Sequence, residues 1–285
     1  MISLVLSILT SVCIFLLFKL FGKYRVDTFQ AIVFNYFTAL ICGLVFFGHE
    51  WHNTALSNTS WVPSVFICAV LFISIFALMG ISSLKNGIGA TSIAAKMSMA
   101  LSMALMVVLY NEPFSTVKLI GIILALIGVV LVSLEKSQKT SKDRSLWMLV
   151  VIFFGSVFLD VLLNYSQNYL LKNLSSSLFT AFGFGIAGII GLLVLIFQKK
   201  LHQITWKNIV AGVVLGIPNF FSIYLLLLAY ETAPLNDSDI VAIINISIVS
   251  LSTFTGIIFF NEKFNLQKII GLAAVLVAIF LISQY

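Results

Sequence analysis

Apolar residues run along this chain in blocks of about twenty, divided by short polar breaks, and within the blocks polar and apolar positions do not alternate. A helix rising 1.5 Å per residue needs about 20 such residues to cross the hydrocarbon core of a bilayer. Long continuous runs without a period of two favour helices over strands. Ten segments meet the requirement: 2–20, 29–48, 61–84, 90–110, 115–134, 146–170, 177–197, 209–230, 239–260 and 266–283. The longest polar break, 135–145 (EKSQKTSKDRS), falls between the fifth and sixth. It separates a first five-helix half, 1–134, from a second, 146–285.

Composition agrees with this all-α membrane class. The chain is 61% hydrophobic and 9% charged, with a mean hydropathy of +1.13. A soluble domain carries about 25% charged residues. The net charge of +6 does not call for nucleic acid, because the basic residues sit almost entirely in the breaks. Cys13, Cys42 and Cys68 all lie inside apolar runs, which argues against a disulfide framework. The first segment lacks a basic leader and a small-residue cleavage site, so it reads as a retained helix.

The two halves repeat each other. Positions 111–132 (NEPFSTVKLIGIILALIGVVLV) align with 261–282 (NEKFNLQKIIGLAAVLVAIFLI) at a constant offset of 150 residues. Asn111/Asn261, Glu112/Glu262, Phe114/Phe264, Lys118/Lys268, Ile120/Ile270, Gly121/Gly271 and Leu126/Leu276 are among the matches. Because five is odd, the second half enters the membrane from the opposite side. This is an inverted-topology repeat, the build of many secondary transporters.

An acidic residue in the turn between the fourth and fifth helices of each half, with a glycine nine residues on, resembles the EamA branch of the drug/metabolite transporter superfamily. The resemblance covers the whole chain and rests on Asn111-Glu112…Gly121 and Asn261-Glu262…Gly271. It implies ten helices around a central substrate cavity lined mainly by helices one, three, four, six, eight and nine. The chain departs from the family pattern in having no proline midway along helices four and nine.

Orientation is read from Lys and Arg. The face bearing the first interhelical loop holds Lys19, Lys23, Arg25, Lys85, Lys136, Lys139, Lys142, Arg144, Lys199, Lys200, Lys207, Lys263 and Lys268. The other face holds Lys118 and Lys172. The positive-inside rule puts the basic face in the cytoplasm and both termini outside. The family resemblance implies cytoplasmic termini instead.

Asp160 carries the sharpest chemical signal. It lies about 21 Å along helix six, near the bilayer centre, and is too short to reach an interface. An acid there must face a cavity, pair with a cation or stay protonated. Ser156, Asn164, Gln167 and Asn168 share its helical face. The stripe serves either interhelical hydrogen bonding or substrate and proton binding. Lys96 comes next, about 9 Å into helix four, sharing a face with Ser92, Met99, Met103 and Met106. A cationic head above flexible thioethers suits an anionic group with an apolar body; the alternative is a lysine reaching back to the interface. Asn35, Asn219 and Asn245 are amides within helices two, eight and nine. Asn219 follows Pro218, whose ring removes a helix hydrogen bond. Each amide is equally readable as interhelical glue or substrate contact.

Other matches have plainer explanations. Gly183–Gly188 spells a dinucleotide fingerprint but lies inside an apolar helix, and Gly212 and Gly216 share the spacing of close helix packing. His49-Glu50-Trp51-His52 is not a zinc motif, and Asn58-Thr59-Ser60 is a glycosylation sequon by pattern only. Glu112 and Glu262 begin helices, where the positive helix end stabilises a carboxylate. No cofactor or metal is implied. The reading is a multi-pass permease of a bacterial inner membrane that moves a small polar or amphiphilic metabolite, amino acid-like and exported. A proton or counter-substrate would drive it, since no phosphate-binding loop is present. A flippase for lipid-linked carriers or an accessory membrane subunit is the alternative. An intramembrane enzyme lacks a second aspartate or a histidine within the membrane.

Overall fold

The computed structural model describes residues 1–51, 59–85, 88–111, 115–133, 145–172, 174–260 and 266–283. The expectations for His52, Asn58, Glu112, Asn261, Glu262 and most of the 135–145 segment fall outside these residues. Among the described residues there are ten α-helices and no strands. They are α1 Ile2–Tyr24, α2 Thr28–Phe47, α3 Trp61–Lys85, α4 Ile88–Tyr110 and α5 Thr116–Ser133, followed by α6 Leu146–Tyr165, α7 Ser176–Phe197, α8 Trp206–Thr232, α9 Asp237–Phe260 and α10 Leu266–Ser283. Among the described residues, six stretches are long and apolar enough to cross a membrane: Ile2–Tyr24, Thr28–Glu50, Trp61–Met79, Leu146–Leu170, Ser176–Phe197 and Trp206–Thr232. Ala94–Tyr110, Thr116–Gly128 and Ile269–Ile282 are shorter apolar helical stretches. The protein is an integral, multi-pass membrane protein.

The helix ends follow local chemistry. Asp27 caps α2 by accepting the backbone N–H of Gln30 at 3.0 Å, and Ser175 caps α7 by accepting that of Leu178. Lys207 donates to the carbonyls of Tyr24 and Arg25, satisfying acceptors left open at the end of α1. Asn111 follows α4 with φ 52°. Asparagine tolerates that left-handed conformation better than most side chains, a backbone reason for an asparagine at this turn.

The chain forms two compact units. The first comprises Met1–Ala77 and Leu162–Ala233. In it α2 packs along α8 and α7, and α1 along α8. Gly212 and Gly216 bring α8 onto the α2 backbone: a Cβ on Gly216 would lie 2.5 Å from Thr38 Cβ and 2.7 Å from the Asn35 carbonyl oxygen. The ring of Tyr36 stacks on Phe184 at 5.4 Å, and Phe72 covers Phe184 at 4.9 Å. In this unit α6 ends in a π turn, Ser166–Leu170. There Ser166 contacts Ser64 and donates to the carbonyl of Leu162.

The second unit comprises Leu78–Val161 and Pro234–Tyr285. Here α5 packs along α10 and α4 along α9. These are equivalent helices of the two sequence halves. Gly121 sits where α5 meets α10, and a Cβ there would lie 2.9 Å from Ile282 Cγ1.

Candidate functional site

The second unit brings together the charges that the sequence places inside helices. Lys96 is the ninth residue of α4, and Asn245 the ninth of α9. The Lys96 Nζ donates to Asn245 Oδ1 at 3.0 Å. Asn245 Nδ2 in turn donates to the carbonyl of Val241 in its own helix, also at 3.0 Å. That second bond fixes which end of the amide faces the lysine. The 150-residue offset explains the meeting: the repeat mate of Lys96 is Ile246, adjacent to Asn245. Equivalent helices packed together bring matched positions close.

Asp160 is the fifteenth residue of the Leu146–Leu170 helical stretch, near its middle. Its Oδ2 accepts a hydrogen bond from Ser102 Oγ at 3.1 Å, and Ser102 also donates to the carbonyl of Ser98. Asp160 and Lys96 lie within electrostatic reach of each other. A carboxylate, an ammonium, an amide and a hydroxyl are thus set among α4, α6 and α9. Opposite charges this deep compensate each other's loss of hydration, which neither would survive alone in hydrocarbon.

Exposure divides the remaining residues. Lys96, Asp160, Asn245 and Ser156 are half-buried. Met99 and Met103 are 1% exposed and Met106 is fully buried. The methionines therefore pack between helices in this conformation, beneath the polar groups.

The other predicted site residues lie in the first unit. Asn164 is fully buried and accepts from Asn168 at 3.4 Å, while its Nδ2 has no partner. Gln167 accepts from Ser176 Oγ at 2.7 Å. The π turn interrupts the regular helical face along which the stripe continues past Asn164 in the sequence, because each π turn carries an extra residue. Asn35 is fully buried with both amide atoms unpartnered, and Asn219 is 3% exposed with an unpartnered Nδ2. Tyr36, next to Asn35, is also fully buried with its hydroxyl unpartnered. An open apolar groove of about 480 Å³ runs between α1 and α8, lined by Ile2, Leu6, Leu225 and Leu228. It contains neither Lys96 nor Asp160.

One charged cluster escaped the sequence reading. Lys118, counted among the cations of one membrane face, is fully buried and pairs with Asp239 Oδ1 at 2.7 Å. It also donates to Ser238 Oγ at 2.8 Å. The available signal was Asp237 and Asp239 opening α9 just as Lys118 opens α5.

Comparison with known proteins gives these helices a family. An uncharacterized protein of Haemophilus influenzae is 28% identical over 289 residues, covering 98% of this chain and 96% of that protein. A solved crystal structure superposes with a TM-score of 0.76 at 11% identity, covering 99% of this chain and 97% of the other. At that identity the likeness speaks for the fold alone. The model of the EamA-like transporter family matches twice, over residues 2–134 and 146–284. Because the two matches take in nearly the whole sequence, the chain belongs to the EamA-like transporter family, within the drug/metabolite transporter superfamily.

Proposed function

We propose that this protein is a secondary transporter of small amino acid-like metabolites, working in the export direction, with Asp160 and Lys96 as its central charged groups. The carrying observation is the set of Asp160, Ser102, Lys96 and Asn245, of which Asp160, Lys96 and Asn245 are only partly buried. A zwitterion presents an ammonium and a carboxylate, and these four side chains offer a partner to each. Asp160 would take the cationic end. Lys96, aimed by Asn245, would take the carboxylate.

In this reading all ten helices span the membrane. The halves 1–134 and 146–285 are inverted repeats around a central cavity, and the basic face is cytoplasmic. Substrate arrival between Asp160 and Lys96 changes the charge around both. A proton leaving or joining Asp160 would then couple transport to the proton gradient. Asn35, Asn164 and Asn219 are further candidate polar contacts in this scheme, each buried among helices. Met99 and Met103 supply adaptable apolar wall once the helices part.

Purified protein in liposomes, screened against a labelled metabolite library, tests the reading. Uptake of zwitterions that Lys96→Met slows more than uptake of neutral analogues is the expected result. Transport of no zwitterion, or equal slowing of both classes, would sink it.

A further inference from the structure

The buried pair of Lys118 and Asp239 takes no part in the site above. Both residues are third in their helices, α5 and α9. The neighbourhood is polar. Asp239 Oδ1 meets Lys118, and its Oδ2 accepts from Asn236 Nδ2 at 3.1 Å. The backbone N–H of Lys118 is capped by Ser115 Oγ at 3.1 Å. Lys118 and Ser238 are fully buried and Asp239 is 2% exposed.

Three features make the pair unusual. A helix N-terminus disfavours a cation, so Lys118 sits where its own helix repels it and relies on Asp239. The helices it joins touch only over a short stretch, because α5 packs chiefly on α10, and α9 chiefly on α4 and α10. The pair is one direct tie between the start of α9 and the start of α5. Finally, the repeat does not reproduce it. The 150-residue offset carries Lys118 to Lys268 but Asp239 to Gly89, which has no side chain to offer. In the sequence, the acid of the charge pair therefore has no counterpart at the matching position.

We propose that Lys118 and Asp239 form a one-sided lock. It holds the α4–α9 pair, which carries Lys96 and Asn245, against the α5–α10 pair at one membrane face. The inference rests on the alternating-access reading above. An inverted repeat without such a device would visit its two access states with similar ease. A lock on one face biases the resting protein to close there and to open at the face where Gly89 lies. Substrate must release the lock once per cycle.

The test places a reporter cysteine at Met106, fully buried and four residues before the end of α4, with Cys13, Cys42 and Cys68 changed to serine. Its labelling by a membrane-impermeant maleimide is followed from the Lys118 face. Removing one partner alone strands a buried charge and risks misfolding, so the lock is removed whole with Lys118→Met plus Asp239→Leu. A second variant exchanges the partners, Lys118→Asp plus Asp239→Lys. With the lock gone, labelling should quicken about ten-fold or more, the effect of losing about 1.4 kcal/mol of bias. The exchanged pair should return it toward the parent rate. An apolar pair that labels at the parent rate would overturn the proposal, as would an exchanged pair as fast as the apolar one. Transport of zwitterions is measured on the same preparations. Quickened labelling without any transport refutes the transport reading and leaves the one-sided lock standing. Transport with unchanged labelling refutes the lock alone.

Discussion

Adding one carbon at Gly216 should prise α8 from α2. The Cβ of Gly216→Ala would lie 2.5 Å from Thr38 Cβ, 2.7 Å from the Asn35 carbonyl oxygen and 2.9 Å from Thr38 Cγ2. Carbon atoms prefer separations of about 3.5–4.0 Å, so the contact is short by about 1 Å or more. Two of these obstacles, the carbonyl and a Cβ, move only with the helix itself. Overpacking costs about 1–3 kcal/mol, and two obstacles that cannot yield place this contact in the upper part, about 2–3 kcal/mol. Alanine's better helix propensity returns up to about 1 kcal/mol. The net loss is then about 1–2 kcal/mol, and with about 2–4 °C per kcal/mol for a chain of this size the unfolding midpoint should fall by about 2–8 °C. Gly212→Ala meets Phe34 Cβ at 2.5 Å and the Ala31 carbonyl at 2.6 Å, and should behave alike. The double variant should lose less than the sum, because one separation of the helices relieves both clashes. Gly22→Ala is the control, since nothing lies within 4 Å of its added carbon. Thermal unfolding of purified protein in detergent, followed by a thiol-reactive dye or by tryptophan emission, provides the assay. A Gly216→Ala protein as stable as the parent, beside a well-behaved Gly22→Ala, would refute the close α2–α8 contact.

Three further outcomes can be checked. Lys96→Met should weaken carboxylate-bearing substrates about ten-fold or more, the value of about 1.5–3 kcal/mol for a hydrogen bond to a charged group, read by competition in a transport assay. Asn245→Leu deprives Lys96 of the acceptor at 3.0 Å and should raise the half-saturating substrate concentration more than it lowers the maximal rate. A cysteine at Asn58 should react with an impermeant reagent added outside intact cells and one at Ser141 should not; the opposite pattern would reverse the orientation read from the lysines and arginines.

The fold was legible where one physical rule dominates. Bilayer thickness sets segment length, so the ten helices follow from the apolar runs to within a few residues at most ends. Close packing demands small residues, which is why Gly212 and Gly216 could be assigned to a helix contact without coordinates. Asp160 and Lys96 stood out because a charge deep in an apolar run needs a partner, and each has one. Three features were not legible. The π turn at Ser166–Leu170, beside Ser64 of α3, is announced by no local pattern. The pairing of Lys118 with Asp239 links positions 121 residues apart in sequence at two helix starts, and a lysine beside a turn reads first as an interfacial charge. The grouping of α4, α5, α9 and α10 into one unit cuts across the sequence halves, since inverted repeats interlock.

The central claim is that Asp160 titrates as part of the transport cycle. Its carboxylate accepts from Ser102 and shares an electrostatic field with Lys96. Asp160→Asn keeps the size and the hydrogen-bonding capacity while removing the proton. Measured in proteoliposomes under an imposed pH gradient, this variant should remain folded and inserted yet lose gradient-driven transport, while still exchanging substrate for substrate across the bilayer. Transport by Asp160→Asn at the parent rate, with the parent dependence on pH, would contradict the account.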